Sequence, residues 1–225
     1  MKLLIRRKDI KFKAVLFDLD GTLLDTLGDL ANSMNSVLDR LGYPQHPIDA
    51  YKYFVGDGIL ELAKRVLPEA HRNQENINRC FKGMRAEYAI RWAQTTRPYK
   101  GIPELLSGLD NLGLKKAVLS NKPDDMTKLI VEKLLADFKF DVVRGATSDV
   151  AHKPDPAGAF AVAKELGVLP CEFLYLGDTN TDMQTANNAG MYPVGAAWGF
   201  RDADELNANG ARAIAQNPTD VLELL

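Results

Sequence analysis

The chain has 225 residues, 46% hydrophobic and 26% charged, the proportions of an ordinary globular protein rather than of a disordered or fibrous one. Twenty-eight Lys and Arg against thirty Asp and Glu leave a formal net charge of −2, without the positive excess that binding a nucleic-acid backbone demands. No apolar run approaches the roughly 20 residues of a membrane-spanning helix, so neither nucleic acid nor membrane is an expected partner.

Residues 1–8 hold only three consecutive apolar side chains, Leu3, Leu4 and Ile5, before charge returns. That is too short for a secretory signal and reads as an edge segment leading into the first strand. Cys80 and Cys171 share no pairing pattern, so both are expected as reduced thiols in a cytoplasmic protein.

From Lys13 onward, short apolar runs alternate with stretches of helical period. Ala14-Val15-Leu16-Phe17 is continuously apolar, as a strand buried on both faces would be. Leu27, Leu30, Ala31, Met34, Val37, Leu38 and Leu41 recur at helical spacing, stopped by Gly42 and Pro44. Ile102, Leu105, Leu106, Leu109 and Leu112 form a second helical stripe, followed by a strand at Ala117-Val118-Leu119. Met126, Leu129, Ile130, Leu134 and Leu135 then predict a helix, and Val142-Val143 a short strand. Phe160, Ala161, Ala163 and Leu166 predict the next helix. Phe173-Leu174-Tyr175-Leu176 reads as a strand, Met183, Ala186 and Ala189 as a helix, and residues 192–195 as a fifth strand. This rhythm implies an α/β fold, a doubly wound parallel sheet.

Residues 26–96 break the rhythm. They contain helical stretches at 59–67 and 77–92 but no convincing strand, and far exceed one crossover connection. The expected organisation is an α/β core of residues 1–25 and 97–225, with residues 26–96 inserted as a helical cap.

Ligands of open parallel sheets bind beyond the carboxyl ends of the strands. Four polar clusters fall there: Asp18-Leu19-Asp20-Gly21-Thr22, Ser120-Asn121-Lys122, Lys153-Pro154-Asp155, and Gly177-Asp178-Thr179-Asn180-Thr181-Asp182. In extended chain Asp18 and Asp20 point to one side. Gly21 allows a sharp turn, and Gly177 a close approach beside Asp178. Crowded carboxylates repel unless a cation joins them, and Mg²⁺ takes one or two carboxylates together with water and phosphate oxygens. Lys153, Ser120 and the Asn121 backbone offer charge and donors to a phosphoryl group. Together the set suits phosphoryl transfer through an aspartyl-phosphate. Taken singly, the same residues have plainer readings: Asp178 or Asp182 as a helix N-cap, Lys153 as a solvated loop lysine, Ser120 and Asn121 as turn formers.

These four clusters, in this order, resemble the motifs of the haloacid dehalogenase superfamily, whose core has this Rossmann-like α/β form and whose small helical cap matches the insertion. Val55-Gly56-Asp57-Gly58 and Lys100-Gly101-Ile102-Pro103 are most similar to phosphoglycolate phosphatases within it. The resemblance implies Asp18 as nucleophile and Mg²⁺ ligand, and Asp20 as acid and base that also reaches the metal through its carbonyl. It implies Thr22, Ser120, Asn121 and Lys153 as substrate-binding residues, Asp178 as a metal ligand, and Asp182 as a support of the metal site. The expected activity is Mg²⁺-dependent hydrolysis of a small phosphorylated metabolite, by a monomer or homodimer. A hexose phosphomutase, a pyrophosphatase or nucleotidase of the same superfamily, and a non-catalytic binding protein that kept the fold remain alternatives. In the cap, Gly56-Asp57-Gly58 reads as either a flexible turn or a loop facing the substrate. Lys64 and Arg65 read first as a solvated helix face, though one could supply a cation for a substrate carboxylate; His152 reads as a surface residue that could also line the site.

Overall fold

The computed structural model describes residues 12–225; the edge segment expected at residues 1–8 lies outside them. The first strand, β1 (Ala14–Phe17), is followed by β2 (Leu24–Asp25), α1 (Leu27–Leu41), α2 (Tyr51–Phe54), α3 (Ile59–Val66), α4 (Gln74–Arg91) and β3 (Arg97–Pro98). Then come α5 (Ile102–Asn111), β4 (Lys115–Pro123), α6 (Asp124–Leu134), β5 (Val142–Ala146) and α7 (Ala157–Leu166). The chain ends with β6 (Phe173–Gly177), α8 (Asn180–Ala189), β7 (Tyr192–Ala196), α9 (Ala203–Ala208) and β8 (Ala213–Ala215). None of these helices is long and apolar enough to cross a membrane.

The main sheet runs β5-β4-β1-β6-β7-β8, with every neighbouring pair parallel. β1 is central because all four of its residues are apolar and bury both faces. Val15 and Phe17 join the cluster that takes in Leu105 and Leu106 of α5 and Ile130 of α6, while Ala14 and Leu16 join Ala159 and Val162 of α7 and Ala186 of α8. Helices thus cover both faces, which is the doubly wound arrangement. Fully burying each such Leu or Phe contributes about 1.5–3 kcal/mol. The chain turns to opposite sides of β1 on reaching β4 and β6, so the carboxyl end of β1 is the switch point of the sheet.

Several expectations need correction. β4 does not stop at Leu119 but carries Ser120, Asn121 and Lys122 inside the sheet, buried, with a register irregularity between Leu119 and Pro123. A sixth strand, β8, follows the five anticipated; three residues of Ala and Ile are too few to show a period. Leu112 and Phe160, read as apolar-stripe residues, are exposed. The two cysteines are free thiols, Cys80 buried and Cys171 exposed.

α1 to α4 lie between β2 and β3, which pair antiparallel as a two-stranded ribbon, Leu24 opposite Pro98 and Asp25 opposite Arg97. The chain therefore leaves the sheet and returns to it through neighbouring backbones. Beside that ribbon the Asp29 carboxylate, buried at the start of α1, accepts hydrogen bonds from the backbone N–H and hydroxyl of both Thr95 and Thr96, at 2.7–3.0 Å. Burial by itself would raise the Asp29 pKa, but these donors outweigh it and hold the carboxyl below its ordinary value.

A carboxylate depressed in the folded state stabilises above its unfolded pKa, about 3.9, and that stability is lost as pH falls through the folded value. Asp29→Asn is therefore expected to destabilise the protein by about 1–3 kcal/mol at pH 7, since the amide sets its NH₂ against donors. Urea unfolding of both proteins from pH 7 to pH 3 should show the gap narrowing at the acid end.

Candidate active site

Asp18 follows β1 directly, at the switch point, and the other three polar clusters converge on it. Oxygens of Asp18, Asp178 and Asp182 lie within 4.8 Å of one another, and all three residues are buried. Lys153 enters from the loop before α7, also buried. Its Nζ lies 2.9 Å from Asp18 Oδ1 and donates to Asp182 Oδ1 at 2.7 Å. The contact with Asp18 is a close charge pair between two buried groups.

Three carboxylates thus face one ammonium. Burial, then the charge of Asp182, pushes the Asp18 pKa up to about 7 despite Lys153. Asp178 is raised well above the carboxylate range by burial and by the charges of Asp18 and Asp182. Burial alone would favour a neutral amine at Lys153, but Asp18 and Asp182 reverse that and hold it charged.

The three acids differ in how many lone pairs they have left. Asp182 is fully engaged: Oδ1 accepts from Lys153 and, at 3.3 Å, from the Tyr175 hydroxyl, and Oδ2 accepts from the Thr179 N–H and hydroxyl. Thr179 is the N-cap of α8 and Asp182 its capping-box partner, so the cap expected of an aspartate falls to the threonine. Asp178 accepts one bond on each oxygen, from the Thr22 hydroxyl at 2.7 Å and the Phe200 N–H at 2.8 Å, which leaves lone pairs free. With Asp18, it is the carboxylate available to a hard divalent cation.

Glycines allow this crowding, Gly199 among them, where an added Cβ would sit 2.3 Å from the Asp178 Cβ. A Cβ on Gly21, whose φ is +86°, would sit 2.2 Å from Asp178 Oδ2. Gly177 makes room as well, but for Asp182, whose Cβ would lie 2.3 Å from an added Cβ, rather than for its neighbour Asp178.

Thr22, expected to hold substrate, instead has its hydroxyl committed to Asp178. Asn121 is committed through its side chain: its amide donates to the carbonyls of Gly56 and Lys153, and its oxygen accepts from the Lys153 N–H. Its backbone is what remains for a ligand. The Ser120 hydroxyl accepts from the Lys122 N–H at 3.2 Å and borders a cavity of about 50 Å³. Asp18, Asp20 and Asn121 line the same cavity, roofed by Val55, Gly56, Gly58, Ile59 and Leu62 from the helical segment.

Neither cation anticipated in that segment reaches the cavity. Arg65 pairs with Asp57, and Lys64 with Glu61 on the outer face. The Gly56-Asp57-Gly58 loop does face the site, and Asp57 also accepts from the Thr181 hydroxyl at 2.8 Å. His152 is exposed and borders a smaller cavity beyond Ser120 and Lys153.

The sequence placed Lys122 in the second polar cluster without a role, and gave no sign of Tyr88. Lys122 Nζ donates to Asp20 Oδ1 at 2.6 Å and to the Tyr88 hydroxyl at 3.0 Å, with the ammonium 4.8 Å from the ring centroid. Spacing could have found Lys122, because it lies two residues beyond Ser120 in extended chain. Nothing near Tyr88, on α4, signals a site.

The family model of haloacid dehalogenase-like hydrolases matches residues 15–196. A phosphoglycolate phosphatase of Aquifex aeolicus is 30% identical over 95% of this chain and 96% of its own length. One from Pseudomonas savastanoi pv. phaseolicola is 32% identical over 94% and 76%. A crystal structure from Lactobacillus delbrueckii subsp. bulgaricus superposes with a TM-score of 0.90 at 31% identity, covering 95% of this chain and 98% of that one. A hydrolase from Pseudomonas syringae gives 0.77 at 26%, covering 94% and 96%. Sheet order, converging carboxylates and sequence agree: the chain belongs to the haloacid dehalogenase-like hydrolase family.

Proposed function

We propose that the chain is a phosphatase that hydrolyses a small phosphomonoester through a phosphorylated aspartate, with Mg²⁺ as cofactor. One observation carries this reading: Asp18, buried with Asp178 and Asp182 around the Lys153 ammonium, lines one cavity together with Asp20, two residues on. In it, residues 26–96 act as the cap over a core of residues 1–25 and 97–225.

Asp18 and Asp178 are the carboxylates that would hold the metal, joined by the Asp20 carbonyl as the family resemblance implies, with Asp182 in support. Three acids against one ammonium leave a deficit of two positive charges. The cation supplies charge that offsets the phosphoryl oxygens and the carboxylates around them.

An Asp18 oxygen attacks phosphorus, and the bond to the ester oxygen breaks as the new one forms. Asp20 passes its proton to that departing oxygen. Asp20, now a carboxylate, then takes a proton from water, whose oxygen attacks the phosphorus of the phosphoaspartate. The Asp18 carboxylate leaves and phosphate is released. Lys153, Ser120 and the Asn121 backbone hold the phosphoryl oxygens throughout, while Thr22 holds Asp178. Lys122 occupies Asp20 Oδ1 and leaves Oδ2 for proton transfer.

The small roofed cavity favours a compact leaving group, and the phosphoglycolate phosphatases among the relatives support 2-phosphoglycolate as substrate. Phosphate release from 2-phosphoglycolate, a hexose 6-phosphate, pyrophosphate and a nucleoside monophosphate tests this directly. We expect the highest kcat/KM for 2-phosphoglycolate; a tenfold deficit against any other member, about 1.4 kcal/mol on the barrier, removes that assignment.

Asp18→Asn should lower kcat by about 10⁴-fold or more. Asp20→Asn should lose about 10²–10⁴-fold, and any phosphoenzyme it forms should persist in rapid-quench labelling. EDTA should silence the enzyme and Mg²⁺ restore it. Because Asp18, raised to about 7, and Asp178 must ionise to bind a cation, Mg²⁺ added to metal-free protein should release protons, more at pH 6 than at pH 8. Calorimetry in buffers of different ionisation enthalpy reads that release.

A further inference from the structure

Besides the acids and Ser120, the cavity is lined by the apolar residues Leu30, Val55, Ile59, Leu62 and Met126. Among the described residues, Lys122 is the only Lys, Arg or His that lines it. Its side chain is buried, with Nζ 2.6 Å from Asp20 Oδ1 and 3.0 Å from the Tyr88 hydroxyl. An ammonium has three donors. Asp20 and Tyr88 take two, and the third has no partner among the described residues.

An apolar chamber with one buried ammonium sorts ligands by charge. A carboxylate placed there without a cation loses its hydration uncompensated, and a hydroxyl without a partner is penalised as well. Position favours a short ligand. Lys122 Nζ lies 2.6 Å from Asp20 Oδ1, and the ester oxygen meets Oδ2 of the same carboxyl group, so a carboxylate on the carbon adjacent to that oxygen can meet Lys122 while the ester oxygen meets Asp20.

We propose that Lys122 is the specificity-determining residue, whose ammonium binds a carboxylate next to the phosphoester carbon and so selects short phosphoryloxy-carboxylates over neutral phosphoesters of equal size. This rests on the phosphatase reading above. It assigns to the core strand β4 a role that the sequence alone also allowed to Lys64 or Arg65 in the cap.

The test compares kcat/KM of the Mg²⁺-loaded full chain for 2-phosphoglycolate and for 2-hydroxyethyl phosphate, which has the same length and a neutral end. The parent should prefer phosphoglycolate by about tenfold or more, and a site built around a polar group can reach far higher ratios. In Lys122→Met, with folding checked by its thermal midpoint, the ratio should fall to within about threefold of unity. A Lys122→Met protein that loses rate on both esters but keeps the ratio overturns the proposal, because Lys122 then acts through Asp20 alone. The parent ratio decides even if that variant does not fold: a preference below tenfold overturns the proposal while leaving the phosphatase reading intact. No phosphate release from either ester by the parent removes the phosphatase reading and this proposal with it.

Discussion

Three buried carboxylates share a few ångströms with a single ammonium, and much of the architecture exists to keep them there. Left to themselves, these groups would lower the strain by taking up protons, and the raised Asp18 and Asp178 show that tendency. What holds them in place is a set of donors aimed from rigid elements: the Thr22 hydroxyl and Phe200 N–H on Asp178, and the N-terminal turn of α8 on Asp182. The result is a site whose geometry is complete but whose charge is not. That imbalance is what gives a divalent cation a reason to bind.

The helical segment is fastened to the same backbone that builds the site. Asn121, next to Ser120, donates to the Gly56 carbonyl; Thr181, next to Asp182, donates to Asp57; Arg201, next to Phe200, donates to the Val55 carbonyl at 3.3 Å. Each fastening lies one residue from a group that touches the acids or borders the cavity. Closing the roof and ordering the floor therefore use shared segments, and a substitution at Asn121 would disturb both the Lys153 loop and the roof.

The α/β alternation was legible because apolar runs such as residues 14–17 and 173–176 have no other use in a globular chain, and the four polar clusters follow such runs. Less visible were features that rest on pairing rather than period. The β2–β3 ribbon has two residues a side and no pattern of its own. β8 is a strand because β7 offers it an edge. Among site residues, Asp18, Asp20, Asp178 and Lys153 could be placed from spacing, but the side-chain commitments of Thr22 and Asn121 could not. Both look like ligand donors until their partners, 156 and 65 residues away in sequence for Asp178 and Gly56, are known. For Lys64 and Arg65 the solvated-face reading fits, but helical position gave no account of Glu61 and Asp57 as their counter-charges.

The central place of β1 bears on how the chain is made. Ala14 pairs with Lys115 on one side and with Phe173 on the other. As the polypeptide leaves the ribosome, the strand that leads into Asp18 emerges ahead of both neighbours and waits until residues 115–123 and then 173–177 have been made. Its four apolar residues stay without a sheet until β4 and then β6 arrive, a long-range closure that costs chain entropy before any contact repays it. The helices of the insertion are synthesised within that interval and depend largely on nearby contacts, such as those of α1 with α4. In vectorial synthesis the roof thus has its own partners available before the floor it will cover, and the delay exposes β1 to the off-pathway association that chaperones suppress.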